Sequence, residues 1–317
     1  MALDPVLQQL LDQIPEMPAG PVNYPEIRAM AAQFIPLLVG PGGPIEVDSV
    51  EPLEISGPGG PVPLRIYRPS GEPKGTMHYI HGGGWSIGDL PTIDHTARRL
   101  CQSLSMTIVT STYRLAPEHP FPAAFDDSLA AARWVLQNVE TLGGSAKPCI
   151  IAGDSAGGNL AAAVCLALRD GRETTFDAQL LLYPAVDLRL EAGSYASREA
   201  DADPSLRLAS VLGSRDSYLG DADGENPLLS PLVATDLSRL PPALVVVLSV
   251  DPLRDEGVEY ARRLNAAGVE ARLIEFDNLT HGFVHFANLV PAAAQATGEV
   301  LAGLKALLDG ESDDRTS

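Results

Sequence analysis

The chain has 317 residues, of which 45% are apolar and 20% charged, with 41 acidic against 22 basic side chains and a net charge of −19. That length is enough to bury a large core within one α/β unit. The acidic balance excludes nucleic acid and anionic membrane surfaces as partners, because both demand a basic face.

Two stretches at the start, 2–15 and 24–39, space their apolar residues as helices do, with a Pro-rich break between them. The opening MALDPVLQQLLDQIP carries acids and lacks the basic start and apolar run of a signal peptide. The longest uncharged apolar stretch, Ala156 to Leu168, is too short to span a membrane, so the expected address is the cytoplasm. Turn-rich clusters at Gly40–Pro44 and Gly57–Pro61 then flank a weak strand near 45–55, and Leu64–Tyr67 alternates like a second strand. From there apolar runs at 76–80, 107–113, 149–152, 179–183, 243–250 and 271–276 are mostly separated by helical patterns at 94–104, 123–140, 156–169, 255–267 and 291–308. Short apolar strands alternating with helices predict a parallel sheet covered on both faces.

The helix at 255–267 carries Asp255 and Glu256 in its first turn and Arg262 and Arg263 in its last, with Gly268 just beyond, which reads as ordinary end charge. Residues 187–228 interrupt the rhythm: they are polar, rich in Asp, and hold one helical pattern at 204–218. The expected organisation is N-terminal cap helices over 1–45, a core over 46–186 and 229–312, and a cap insertion over 187–228. Cys101, Cys149 and Cys165 are odd in number and widely spaced, which suits neither a disulfide framework nor a zinc site. Each sits among apolar residues and reads as a small core side chain.

Gly153-Asp154-Ser155-Ala156-Gly157 follows an apolar run and opens a helix. That strand–turn–helix setting is what a G-x-S-x-G nucleophile requires: the turn lifts Ser155 to the sheet edge, and the helix start aims free N–H groups at developing negative charge. His81-Gly82-Gly83-Gly84-Trp85 also follows an apolar run. Acyl transfer needs N–H donors on the oxyanion, and bare backbone at Gly83 and Gly84, joined by the N–H of Ala156, can supply them. His81, Gly82 and Asp154 flank these groups as supporting residues. Neither glycine cluster fits a phosphate-cradling pattern.

The acid belongs at the end of a later strand, where Asp251 is the candidate and Asp277 competes. In the chain order Ser, acid, His, only His281 and His285 are eligible as base. His281 lies in the loop after the last apolar run and is favoured. His78 points from a strand and reads as structural. Trp85, Tyr183, Leu253 and Phe283 at the sheet edge, with Phe34 from the cap, are candidate pocket residues.

Five blocks together resemble the hormone-sensitive-lipase-like esterases, often called bacterial family IV: His81–Trp85, YRLAPEHPFPA from Tyr113 to Ala123, GDSAGGNL from Gly153 to Leu160, DPLRDEG from Asp251 to Gly257, and HGF at 281–283. The resemblance covers nearly the whole chain. It implies an α/β-hydrolase fold, with an eight-stranded, mostly parallel sheet flanked by helices under a helical cap. It also implies short-to-medium acyl esters as substrates, no cofactor and no metal. It favours Asp251 over Asp277 and His281 over His285, and gives Glu118 and Asn159 supporting roles, Glu118 by bracing the oxyanion loop. The insertion looks shorter and more acidic than the family pattern. The same triad also serves amides, as in arylformamidase-like hydrolases, and the same scaffold serves non-catalytic ligand receptors that have lost the histidine. An accessible last strand would let two copies pair edge to edge as a homodimer.

Overall fold

The computed structural model describes residues 3–13, 23–40, 42–143, 148–189 and 195–310. Eight strands form one sheet: β1 (Ser49–Gly57), β2 (Gly60–Arg68), β3 (Thr76–Ile80), β4 (Thr107–Ser111), β5 (Cys149–Asp154), β6 (Ala178–Leu182), β7 (Ala243–Leu248) and β8 (Ala271–Phe276). Their order is β1-β2-β4-β3-β5-β6-β7-β8. The two first strands form an antiparallel hairpin, β2 meets β4 antiparallel, and every other pair is parallel. The sheet that the alternating pattern predicted is therefore present, with the six apolar runs and the two earlier strand candidates all as strands.

The helices are α1 (Pro5–Leu11), α2 (Tyr24–Val39), α3 (Asp94–Leu104), α4 (Ala123–Gly143), α5 (Ala156–Asp170), α6 (Ala196–Ala200), α7 (Leu208–Leu219), α8 (Arg254–Ala266) and α9 (Pro291–Leu308). Alternation along the strands splits the core into two layers. On β7, Leu244, Val246 and Leu248 pack with α3 and α9, while Ala243, Val245 and Val247 pack with α4, α5 and α8. Strands β3 to β7 are buried along their whole length, as a sheet covered on both faces must be. Among the described residues β8 has a neighbour on one side only, and Leu273 on it is exposed. The three cysteines are buried thiols. His78 is also buried, bonded to Ser111 Oγ at 2.9 Å, and burial pushes its pKa down to about 3.

Helices α2 and α7 meet above the carboxyl ends of the strands, where the Tyr24 hydroxyl bonds Ser217 Oγ at 2.6 Å. The first predicted helix is shorter than its apolar spacing, since Asp4 caps it by accepting the N–H groups of Val6 and Leu7. Leu7 packs into the core layer of α3 and α9, so α1 clasps the core. The Pro-rich break between the first two helices and part of the insertion, 190–194, lie outside the described residues. No helix among the described residues is long and apolar enough to cross a membrane.

Candidate active site

β5 runs straight into Ser155, and α5 begins at the next residue. Ser155 has φ 55° and ψ −119°, a conformation that a non-glycine residue holds only when its surroundings impose it. The crowding is real at Gly157, where a Cβ would lie 2.1 Å from the Ile80 carbonyl oxygen, so any side chain there would push α5 away from β3. The Ser155 N–H donates to the Leu182 carbonyl at 2.8 Å, which pins the turn to β6.

The glycine loop leaves β3 one strand away. Gly83 has φ +104°, and its carbonyl accepts the N–H groups of Ser86 and Ile87, closing the loop on itself. Asp154 holds the loop from below: its buried carboxylate accepts Gly82 N–H at 3.0 Å, the Tyr79 hydroxyl at 2.8 Å and His285 Nε2 at 3.1 Å. Burial alone would raise the pKa of Asp154, but His285 and these donors outweigh it and keep the group below the ordinary carboxylate value. His81 stacks on Tyr113 with ring centres 4.3 Å apart, and its Nδ1 donates to the Gly82 carbonyl at 2.7 Å. Burial lowers the His81 pKa, so this ring serves as a neutral prop.

Asp251 sits just past β7, fully buried, and accepts the Leu253 N–H at 2.8 Å. Its other oxygen meets His281 Nδ1 at 2.6 Å. Burial pulls the His281 pKa down, yet the Asp251 carboxylate outweighs it and the net shift is upward. The competitor Asp277 is exposed to solvent. His285 is turned to Asp154 and to Thr96 Oγ1, at 3.2 Å, instead of toward Asp251.

Ser155 and His281 open on one cavity of about 690 Å³, together with the loop from His81 to Gly88. Its roof is Tyr24, Ile27 and Ala31 of α2 and residues 209–211 and 213–215 of α7. Of the expected pocket residues, Trp85 and Leu253 line it. Tyr183, Phe283 and Phe34 do not. Tyr183, at φ 37° beyond β6, turns its ring beneath the His281 imidazole, with centres 4.5 Å apart, and Phe283 packs behind Tyr183 at 5.8 Å. Phe34 lies on the same face of α2 as Tyr24, Ile27 and Ala31 but one turn beyond the residues that line the cavity.

Two of the expected supporting residues make these contacts. Glu118 is linked to the glycine loop through Arg28, which it grips with both oxygens at 2.8 and 2.7 Å. Arg28 Nε then donates to the Ser86 carbonyl at 2.8 Å, and Nη2 donates to the Ala116 carbonyl at 2.9 Å. That guanidinium pulls the Glu118 pKa down to about 2. Asn159 ties α5 to the backbone beyond it, donating to the carbonyls of Ala185 and Leu229 at 2.7 Å each.

Glu256 lies in the first turn of α8, as expected, but its surroundings are unlike those of an exposed end charge. It is fully buried, accepts the Val186 N–H at 2.7 Å, and forms an ion pair with buried Arg198 of α6. Burial, partly offset by Arg198, pushes its pKa up to about 7. Arg28, Arg198 and Asp203 carried no motif, because their partners lie in distant segments and spacing along the chain holds no trace of them.

Residues 77–285 match the family described as alpha/beta hydrolase fold. The chain is 37% identical over 316 residues to Esterase LipI of Mycobacterium tuberculosis, covering 98% of this chain and 96% of that protein. It is 39% identical over 314 residues to Carboxylesterase NlhH of the same organism, covering 96% of each. Among solved structures, a hyperthermophilic esterase from the archaeon Pyrobaculum calidifontis superposes with a TM-score of 0.86 at 38% identity, covering 96% of this chain and 99% of that one.

Proposed function

Because this chain belongs to the alpha/beta hydrolase fold family, among its hormone-sensitive-lipase-like carboxylesterases, we propose that it hydrolyses short-to-medium acyl esters through an acyl-enzyme on Ser155. The observation that carries the assignment of residues is the 2.6 Å contact of His281 Nδ1 with buried Asp251, on a cavity that His281 shares with Ser155.

With Nδ1 bonded to Asp251, Nε2 is the nitrogen left to serve the nucleophile. His281 takes the Ser155 proton as Oγ attacks the ester carbonyl, and Asp251 stabilises the imidazolium that forms. The N–H groups of Gly83, Gly84 and Ala156 hold the oxyanion, where charge is stabilised by donors already in place. His281 then protonates the departing alcohol, and water repeats the cycle to release the acid. The strained Ser155 backbone and the hydrogen bonds of Asp154 to the glycine loop support this reading, since both fix groups ahead of the reaction. The cytoplasm suits the same enzyme, because its buried thiols need no oxidising compartment.

The test is hydrolysis of para-nitrophenyl esters from acetate to laurate by wild type and Ser155→Ala. Turnover is expected to peak at short or medium chains, and kcat is expected to drop by on the order of 10⁶-fold in the variant. Comparable activity in Ser155→Ala would sink the assignment. Turnover of anilides without esters would move the chemistry to amides.

A further inference from the structure

The insertion does more than roof the cavity. Asp203, between α6 and α7, is fully buried although it is a carboxylate on a connecting segment. Such a charge is stable only when donors surround it, and those donors belong to the histidine loop. Asp203 Oδ2 accepts the backbone N–H of His281 at 2.7 Å, and Oδ1 accepts the hydroxyl of Thr280, itself fully buried. Ser205 completes the grip: its hydroxyl lies 3.1 Å from the His281 carbonyl and 2.6 Å from Thr280 Oγ1, with one proton shared between that carbonyl and Asp203. Its own N–H and hydroxyl also reach Asp203, at 2.8 and 2.7 Å. The peptide groups on both sides of the imidazole-bearing carbon are thus held by one short segment of the cap. Ser205 also lines the cavity, so that clamp is part of the wall a substrate meets.

We infer that Asp203 is a positioning residue for the reaction, holding the His281 backbone so that its ring keeps the geometry needed between Asp251 and Ser155, with Ser205 as its accessory. This rests on His281 being the base. Asp251 fixes one ring nitrogen, which leaves rotation about that contact open; a backbone clamp removes it. The groups facing His281 are Asp251 at its ring, Asp203 at its N–H, Asp154 through charge across the site, and the Tyr183 ring beneath it.

The experiment measures kcat, KM and the pH profile of kcat/KM for Asp203→Asn, Ser205→Ala and His281→Ala. Asn has the shape of Asp but loses the charge and one acceptor. Asp203→Asn is expected to lower kcat by about 10- to 100-fold with KM within about twofold, as a small misplacement of a reacting group does. The acid limb should also move to lower pH, because one negative charge favouring the imidazolium is gone. Ser205→Ala should lower kcat less and leave the limb in place. Wild-type kcat and limb in a folded Asp203→Asn would reduce the residue to a brace for the cap. Should that variant not fold, wild-type kcat in Ser205→Ala overturns the inference. Activity surviving in His281→Ala would instead defeat the assignment of the base itself.

Discussion

At the residue scale, the proposed role of His281 as base makes its pairing with Asp251 the contact that sets when the site can work. His281 must be neutral to take a proton, and its pKa lies above the ordinary 6.5, with burial opposing the shift and Asp251 driving it. The kcat/KM of wild type should therefore rise with pH through a limb centred above that value. Asp251→Asn removes the charge that raises it, so the limb should fall to lower pH. The same change mis-sets the imidazole tautomer, so kcat is expected to fall by about 10⁴-fold. A pH profile of both proteins decides this, and an unmoved limb in the variant would mean another group governs it. Ser155, Asp251 and His281 were singled out by motif and chain order, because each lies on the segment that follows a strand. Asp251 and Asp277 differ in space: one is fully buried against an imidazole and the other faces solvent, which supports the proposed role of Asp251.

Among elements, α2 is tied to the oxyanion loop by Arg28. Its bridge to Glu118 is partly exposed, with side-chain accessibilities of 27% and 46%, so its worth to stability is about 1 kcal/mol or less. The bond to the Ser86 carbonyl matters in another way, since Ser86 closes the loop that carries Gly83 and Gly84. Arg28→Ala is expected to lower kcat by about tenfold while shifting the melting temperature little. Arg28→Lys should not restore it, because one ammonium cannot span the same acceptors. Assay and thermal melt together test this; equal loss of both would make Arg28 merely structural. Strands and long helices were legible because their periodicity is local. The five-residue helix α6 was not, because it is too short to show a period and is held by Arg198 reaching into the core.

For the whole molecule, cap and core are joined where Arg198 meets Glu256. Breaking such a buried pair by removing one partner costs about 3–5 kcal/mol where the other stays charged, so at a pH where Glu256 is ionised Arg198→Ala should lower the unfolding free energy by that order. Glu256 has a pKa raised from 4.5 to about 7, so the folded chain holds this proton more tightly than the unfolded one. Its contribution to stability is therefore full below pH 4.5 and is lost as pH rises through about 7. Urea unfolding across that range should show a slope in wild type that flattens in Glu256→Gln; equal slopes would assign the pH dependence elsewhere.

The sequence by itself determined the alternating strands and helices, the strained serine turn, the glycine loop and the chain order of the proposed triad. These depend on local periodicity, backbone sterics and motif spacing. Only the tertiary structure decided that Glu118 acts through Arg28, that Glu256 is buried, that Tyr183 supports His281 from beneath, and that Asp203 clamps the histidine loop. Each of these is a contact between segments far apart in the chain, and a charge or ring has no local signature of the partner that folding brings to it.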